Sequence, residues 1–172
     1  MTKLHDANAL NKLRSTLQDD RAQAKTLVSV CGGTGCRASG SEAVIKRLEE
    51  EIASRDLSGR VQVRVTGCHG FCEQGPIMVI DPGGIFYRQV TPDDVGEIVE
   101  QTLLNNKAVE RLFYTDPVSK NEAPTENDIA FYQLQDRTIL SRSREVDPRS
   151  IEDYIASGGY SAFAKVTGEK NP

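Results

Sequence analysis

Two short loops that contain all four cysteines constrain the fold of this chain more than any other feature. The first cysteine loop, residues 31–36, has the spacing C-x4-C. The second cysteine loop, residues 68–72, has the spacing C-x3-C and follows after 31 intervening residues. Each loop directly follows a short valine-rich stretch, residues 26–30 and 61–65, which predicts a β-strand. A segment of helical length lies between them, so the sequence predicts a strand–helix–strand unit with a cysteine pair after each strand.

The connection rule for such a unit predicts where the cysteines meet. A strand–helix–strand crossover makes its two strands parallel and is nearly always right-handed. Parallel strands have their C-terminal ends at the same edge of the sheet, where open α/β sheets usually build their sites. We therefore expect the four thiols to converge on one point, and we interpret that point as a metal centre.

The length, charge and apolar runs of the chain limit the kinds of protein it can be. The 172 residues can form one ordinary domain with a substantial appendage, and the net charge of -4 does not indicate a nucleic-acid partner. The longest apolar runs, such as residues 77–80, have four residues, whereas a transmembrane helix needs roughly 20. The polar N-terminus has no apolar signal core, so we expect a cytoplasmic protein. In that compartment cysteine clusters indicate metal or redox sites before structural disulfides.

Helical patterns flank the first predicted strand. Leu10, Leu13 and Leu17 recur at helical spacing within residues 4–22, which predicts an N-terminal helix that completes the core. The helix between the cysteine loops is predicted to start near Ser39, because Ser39 and Glu42 have the spacing of a capping box.

A hairpin and a second core helix are predicted after the second cysteine loop. Two short strands, residues 77–80 and 85–90, are separated by a turn-forming Asp-Pro-Gly-Gly sequence. Thr91 then predicts a helix N-cap, with Pro92 at the first helical position, and the helix is predicted to end near residue 105. Residues 25–107 therefore predict an α/β domain with the order β-α-β-β-β-α and a mixed sheet.

The remaining residues, 108–172, form what we call the C-terminal extension, for which the sequence predicts irregular helical structure. Residues 115–128 are polar and are predicted to be a linker, and residues 137–141 could form a short strand. Asp147 with its following proline predicts a helix start, and residues 160–166 predict a further helical turn or two. The extension is too sparsely apolar to bury its own core, so we expect it to pack on a partner or to be partly mobile.

Four thiolates can hold zinc or an iron–sulfur cluster. Structural zinc prefers C-x2-C pairs, and neither pair has that spacing. A [2Fe–2S] cluster needs two thiolates on each of two irons, which suits two wider pairs on two loops. The expectation is that Cys31 and Cys36 bind one iron and that Cys68 and Cys72 bind the other. Zinc, a disulfide and free thiols remain alternatives, whereas a thioredoxin-type dithiol is disfavoured because the chain has no C-x-x-C.

Other residues of the two loops have predicted supporting roles. The glycines of the first cysteine loop allow backbone amides to point at a buried anionic centre. A Rieske centre would need two histidines, and the only other one, His5, is remote, so His69 is predicted to be structural. Phe71 is hypothesised to be a hydrophobic plug that limits water at the centre, and Glu73 is predicted to be a solvated or loop-bonding carboxylate.

At these residues the sequence resembles a known family. CGGTGC at 31–36, TGCHGFCEQGP at 66–76 and IFYRQVTPDDVGEIVEQ at 85–101 resemble the thioredoxin-like [2Fe–2S] ferredoxins. More narrowly, the chain is similar to the ferredoxin domain that precedes the NADH-binding flavoprotein part of electron-bifurcating NAD-dependent hydrogenases and related formate dehydrogenases. These subunits are relatives of the complex I flavoprotein subunit. VERLFYTDP at 109–117 and DPRSIEDYIASGGYSAFAKV at 147–166 support this narrower resemblance.

The resemblance implies a fold, a cofactor and partners. It implies a thioredoxin-like fold, one-electron transfer and a [2Fe–2S] cluster on Cys31, Cys36, Cys68 and Cys72. The implied partners are a flavin- and NADH-binding domain, other Fe–S subunits and a catalytic hydrogenase or dehydrogenase subunit. The alternative is a structural zinc-binding or cluster-free assembly module of such a complex.

The resemblance also implies a division of the chain. Residues 1–24 would be an N-terminal helix, residues 25–107 the ferredoxin domain, and residues 108–172 a linker and lead-in segment to a flavin domain. FMN and NAD would bind only in that further domain, which would begin where this sequence ends. We therefore expect that the chain is a fragment or a truncated relative and does not by itself oxidise NADH.

Overall fold

A four-stranded mixed sheet forms the centre of the protein in a computed structural model that describes residues 4–23 and 26–169. The strands are β1 (Thr26–Cys31), β2 (Val61–Thr66), β3 (Met78–Asp81) and β4 (Ile85–Tyr87), in the spatial order β2-β1-β3-β4. β1 and β2 are parallel, with Cys31 opposite Thr66, whereas β3 is antiparallel to both β1 and β4. The predicted parallel pair and the predicted hairpin are both confirmed, and the two cysteine loops leave the sheet at the same edge.

The helices connect and cover the strands in the predicted order. They are α1 (Ala7–Gln23), α2 (Thr34–Ala38), α3 (Ser41–Ser54) and α4 (Asp94–Glu97), the last of which continues as a π-helix over Ile98–Leu104. The β-α-β-β-β-α order of the domain is thus confirmed, with the short helix α2 added inside the first crossover.

The main core lies between the sheet and the helices α3 and α4. Val28 and Val30 of β1 are fully buried against the apolar face of α3 and the π-helical segment, which contribute Val44, Leu48, Ile52, Ile98 and Val99. Burial of each such side chain stabilises the fold by about 1.5–3 kcal/mol. Tyr87 fixes the end of this core, because its hydroxyl oxygen lies 2.7 Å from that of Thr102 and accepts a 2.9 Å hydrogen bond from the Val109 amide.

The predicted capping box at Ser39 and Glu42 is wrong. Residues 34–38 form a helix of their own, and Ser39 is the C-cap of that helix. The chain then reverses at Gly40, which has a φ of 96°, and α3 begins at Ser41 without a side-chain cap. Glu42 instead forms an ion pair with Arg37 of α2. The separate helix α2 gives Cys36 its own helical turn beside the sheet.

The C-terminal extension is more ordered than its composition predicts. It contains β5 (Tyr114–Thr115) paired with β6 (Glu122–Ala123), followed by α5 (Ala130–Gln133), α6 (Ile151–Ala156) and α7 (Ser161–Glu169). Residues 115–128 are therefore a hairpin and a 3-10 turn rather than a linker, and they bury Ala123 and Glu126. The short strand suggested at residues 137–141 is wrong, because these residues form turns and Ile139 is 92% exposed.

The start of α6 also differs from the prediction. Ser150 is the N-cap, and its hydroxyl accepts a 3.1 Å hydrogen bond from the Asp153 amide. The Asp147 carboxylate accepts from the Arg149 amide at 2.9 Å, so Asp147 closes a separate turn before the helix. The helix predicted within residues 160–166 is confirmed as part of α7.

The N-terminal helix α1 packs on the extension. Arg14 Nε donates to the Ile155 carbonyl at 3.1 Å, and Gln18 Nε2 donates to the Ala156 carbonyl at 2.9 Å. These side chains satisfy carbonyl groups at the end of α6, which has no further helical turn to do so. The extension therefore packs on this chain's own helix. The prediction that the N-terminal helix completes the core is wrong, because Leu10 is the one buried apolar residue of α1 in the described part and lies outside the main core. No helix within residues 4–23 and 26–169 has the length and apolar character needed to cross a membrane.

Candidate metal centre

The first cysteine loop is held against the end of β2. Cys31 is the last residue of β1 and Cys36 lies in α2, and each is 1% exposed. The Cys31 amide donates to the Ile77 carbonyl at 3.0 Å, and the Gly32 amide donates to the Thr66 carbonyl at 2.8 Å. These bonds fix the loop at the sheet edge at which the second loop also begins.

The second cysteine loop is more exposed. Cys68 is half-buried and Cys72 is exposed, and their sulfur atoms are 3.7 Å apart. The Gly70 amide donates to Cys68 Sγ at 3.3 Å, as expected of a loop that stabilises negative charge on sulfur. Gly70 has a φ of 85°, a conformation that glycine adopts without strain, and this geometry turns its amide toward the sulfur.

Glycines allow the two loops to come into direct contact. A methyl group on Gly33 would lie 3.0 Å from the Cys68 Cβ atom. A methyl group on Gly75 would lie 2.7 Å from Cys36 Sγ, and one on Gly35 would lie 3.0 Å from Cys72 Sγ. The structure therefore brings the four predicted cysteines together, and side chains at these glycines would separate them.

The four thiols are grouped as two pairs. Within the part of the chain that the structure describes, no three or more His, Cys, Asp and Glu side chains are placed to share one metal ion. Cys68 and Cys72 of the second cysteine loop form one pair, with their sulfur atoms 3.7 Å apart, and Cys31 and Cys36 of the first cysteine loop form the other. Four thiolates in two pairs, with an amide donor at sulfur and glycine gaps between the loops, fit a centre of two irons with two thiolates each.

The paired geometry shifts the thiol pKa values. The hydrogen bond from Cys36 lowers the pKa of Cys31 to about 5 despite burial, with further help from the amides of His69 and Gly33. The same hydrogen bond raises the pKa of Cys36, and the contact with Cys68 raises that of Cys72. Metal ligation requires thiolates, so loading the centre releases the protons that these pairs retain.

His69 is buried beside the centre with both ring nitrogens occupied. It is 2% exposed, Nε2 lies 2.9 Å from Thr66 Oγ1, and Nδ1 lies 3.4 Å from Glu126 Oε1. Burial lowers the pKa of His69 to about 4, so the ring is neutral at neutral pH. This arrangement agrees with the predicted structural role. Glu126 was not identified from the sequence, because it lies in a polar stretch that resembles a linker.

Phe71 of the second cysteine loop packs against the extension. It is 7% exposed and stacks on Phe131 at 4.5 Å, with Tyr114 at 5.2 Å and Tyr132 at 5.6 Å in edge contacts. This position fits the hypothesised hydrophobic plug, while Glu73 is exposed as predicted. Two of its aromatic partners, Phe131 and Tyr132, belong to the apolar run at residues 129–132.

The chain is similar to known proteins over about half of its length. The family model described as "Thioredoxin-like [2Fe-2S] ferredoxin" matches residues 16–103. A "Ferredoxin, 2Fe-2S" from Clostridium pasteurianum is 48% identical over 77 residues, which cover 45% of this chain and 76% of the relative.

Two further matches are a hydrogenase subunit, of which less than half is covered, and a solved ferredoxin structure. The "NADP-reducing hydrogenase subunit HndA" from Solidesulfovibrio fructosivorans is 30% identical over 83 residues, 46% of this chain and 47% of that subunit. The crystal structure of a thioredoxin-like [2Fe-2S] ferredoxin from Aquifex aeolicus has a TM-score of 0.48 and 36% identity. Its match covers 52% of this chain and 95% of that one.

Proposed function

Since the chain belongs to the thioredoxin-like [2Fe–2S] ferredoxin family, we propose that it holds its cluster on Cys31, Cys36, Cys68 and Cys72. The protein has the thioredoxin-like fold of that family and is a one-electron carrier. The observation that supports the four ligands is the meeting of two cysteine pairs from separate loops at one edge of the sheet. Each pair would hold one iron.

The residues around the pairs have distinct roles in this proposal. The bound cluster supplies the ability to accept and donate single electrons, and the protein supplies position and electrostatics. The Gly70 amide stabilises charge on Cys68, and Phe71 with its aromatic neighbours excludes water from one side. Cys72 is exposed whereas Cys31 and Cys36 are buried, so electrons would pass through the side of the second cysteine loop.

The wider context is a multisubunit oxidoreductase. The similarity to a subunit of an NADP-reducing hydrogenase supports a place in a multisubunit oxidoreductase. From the family resemblance we propose that its partners there are other Fe–S subunits and a flavin- and NADH-binding domain, in an NAD-dependent hydrogenase, formate dehydrogenase or complex I-like enzyme. In this proposal FMN and NAD bind to that other domain, and the chain works in the cytoplasm without nucleic acid. The same proposal divides the chain into an N-terminal helix at residues 1–24, the ferredoxin domain at residues 25–107 and a segment at residues 108–172 that leads to the flavin domain.

Serine substitutions test the four ligands. Cys31→Ser, Cys36→Ser, Cys68→Ser and Cys72→Ser are each purified anaerobically and compared for iron content, visible absorption and the EPR signal after reduction. Each variant is expected to lose the cluster or to change its spectrum, because oxygen replaces one thiolate. Ser157→Ala in the extension is the control and should keep the wild-type spectrum. A cysteine variant with an unchanged spectrum would remove that residue from the ligand set.

A further inference from the structure

A series of polar contacts joins the second cysteine loop to charged residues of the C-terminal extension. Thr66 Oγ1 lies 2.9 Å from His69 Nε2, and His69 Nδ1 lies 3.4 Å from Glu126 Oε1. The other oxygen of Glu126 forms an ion pair with Arg144. His69 directly follows Cys68 in the chain, so the contacts connect a carboxylate and a guanidinium of the extension with a proposed cluster ligand.

The chemistry of these groups fixes the direction of the hydrogen bonds. The Glu126 carboxylate, paired with Arg144, can only accept hydrogen bonds. Nδ1 of His69 is therefore protonated and donates the hydrogen bond to Glu126. Nε2 of the neutral ring then accepts from the Thr66 hydroxyl. The carboxylate thereby orients the His69 ring and, with it, the backbone beside Cys68.

Most of this series is buried, whereas its far end reaches solvent. Thr66 is 0%, His69 2% and Glu126 6% exposed. The side chain of Arg144 is 43% exposed. A charge acts more strongly through the protein interior than through water, so the charge of Glu126 reaches the centre with less screening than that of Arg144.

We propose that Glu126 and Arg144 are positioning residues that set the reduction potential of the [2Fe–2S] cluster in opposite directions. Reduction adds one electron, and therefore one negative charge, to the centre. The buried carboxylate of Glu126 opposes that charge and lowers the potential, while the guanidinium of Arg144 favours it and raises the potential. The inference rests on the cluster ligation proposed above.

Both residues lie outside the part of the chain that matches the ferredoxin family model. That match ends at residue 103, whereas Glu126 and Arg144 belong to the extension. The extension would thus adjust the potential from outside the matched residues.

Potentiometric titration monitored by EPR tests the inference on the full chain, with iron content measured first. Glu126→Gln is expected to raise the equilibrium constant for one-electron reduction by about tenfold, which corresponds to about 59 mV. Arg144→Gln is expected to lower that constant by a smaller factor, because Arg144 is more exposed. The double variant should lie between the two single variants.

Matched controls separate a local effect from a change in net charge. Glu122→Gln and Arg149→Gln alter the same charges at exposed positions of the extension and should leave the potential unchanged. The inference would be overturned if the controls changed the reduction potential as much as the test variants do. It would also be overturned if both test variants changed the potential in the same direction, or if neither changed it. Iron loss from both test variants with iron-replete controls would also overturn it in favour of a purely structural role. A wild-type protein without iron would contradict the ligation itself.

Discussion

The rings of Phe71 and Phe131 stack with their centroids 4.5 Å apart and join the second cysteine loop to the C-terminal extension. Phe71 comes from the loop that carries Cys68 and Cys72, and Phe131 comes from α5. The contact shows that the extension contributes to the surroundings of the centre. This contribution of the extension can be measured on the chain alone, without a partner protein.

Phe131→Ala should weaken this cover. The loss of an aromatic pair of this kind typically costs about 0.5–1.5 kcal/mol in the free energy of unfolding. We also expect the visible absorption of the loaded protein to decay faster in air, because water and oxygen reach the loop more easily. Phe163→Ala removes the same side chain from a position that is 68% exposed and should change neither quantity. Equal decay rates for wild type and Phe131→Ala would argue against a shielding role.

Gly75→Ala should disturb the approach of the two cysteine loops. The added methyl group would lie 2.7 Å from Cys36 Sγ, so either the sulfur or the backbone at residue 75 must move. We expect lower iron content and an altered spectrum, measured on protein purified anaerobically. Gly96→Ala places a methyl group in open space within α4, and it should retain full iron while stabilising the helix by about 0.5–1 kcal/mol. Full iron in Gly75→Ala would show that the site tolerates the displacement.

Asp94 should make the stability of the fold depend on pH. Burial raises the pKa of Asp94, but hydrogen bonds from Thr91 and the ion pair with Arg111 outweigh it and hold the pKa below its ordinary value of 3.8. A depressed pKa means that the stabilisation is present above about pH 4 and is lost as the pH falls below it.

Urea unfolding of Asp94→Asn tests this expectation. The Asp94 carboxylate accepts from both the amide and the hydroxyl of Thr91 at 2.7 Å and so closes the start of α4. The variant should lose about 1 kcal/mol at neutral pH and less at about pH 3. Asp93→Asn, at an exposed neighbouring position, is the control. If the stability that Asp94→Asn loses became larger on acidification, the result would contradict a lowered pKa of Asp94.

Asp153→Asn should loosen the extension from the sheet. The carboxylate of Asp153 contacts Arg64 Nε of β2 at 3.2 Å and Arg21 of α1 at 2.6 Å. Burial lowers the pKa of Arg64, and the nearby charge of Asp153 partly offsets this shift. Asp153 is half-buried, so loss of its charge should cost about 1–3 kcal/mol in the free energy of unfolding.

Hydrogen exchange and urea unfolding of the variant measure this effect. Faster exchange is expected in α6, together with a lower free energy of unfolding. Glu152→Gln changes an exposed carboxylate of the same helix and should stay within about 0.5 kcal/mol of wild type. Unchanged exchange in α6 of Asp153→Asn would show that apolar contacts alone hold the extension.

The centre of the fold was predictable because its signals are local. The valine-rich strands before Cys31 and Cys68 and the turn sequence at residues 81–84 each predict their own structure, and the crossover rule then brings the cysteines together. The family resemblance rests on the same residues.

The extension was less predictable because its structure depends on distant contacts. Glu126 is buried by His69 and Arg144, and nothing in residues 115–128 distinguishes it from a solvated acid. Residues 137–141 contain a β-branched and apolar sequence typical of a strand, yet no neighbouring strand edge pairs with them in the described residues. The predicted cap at Ser39 was wrong for a similar reason. Residues 34–38 form a short helix that was not predicted, and Ser39 is its C-cap.

The proposed [2Fe–2S] cluster is tested most directly by a metal count on protein purified anaerobically, together with its visible and EPR spectra. We expect a brown protein with about two irons per chain and an EPR signal that appears only on reduction. A colourless protein with about one zinc per chain and no redox response would contradict it, and would identify the four cysteines as a structural zinc site.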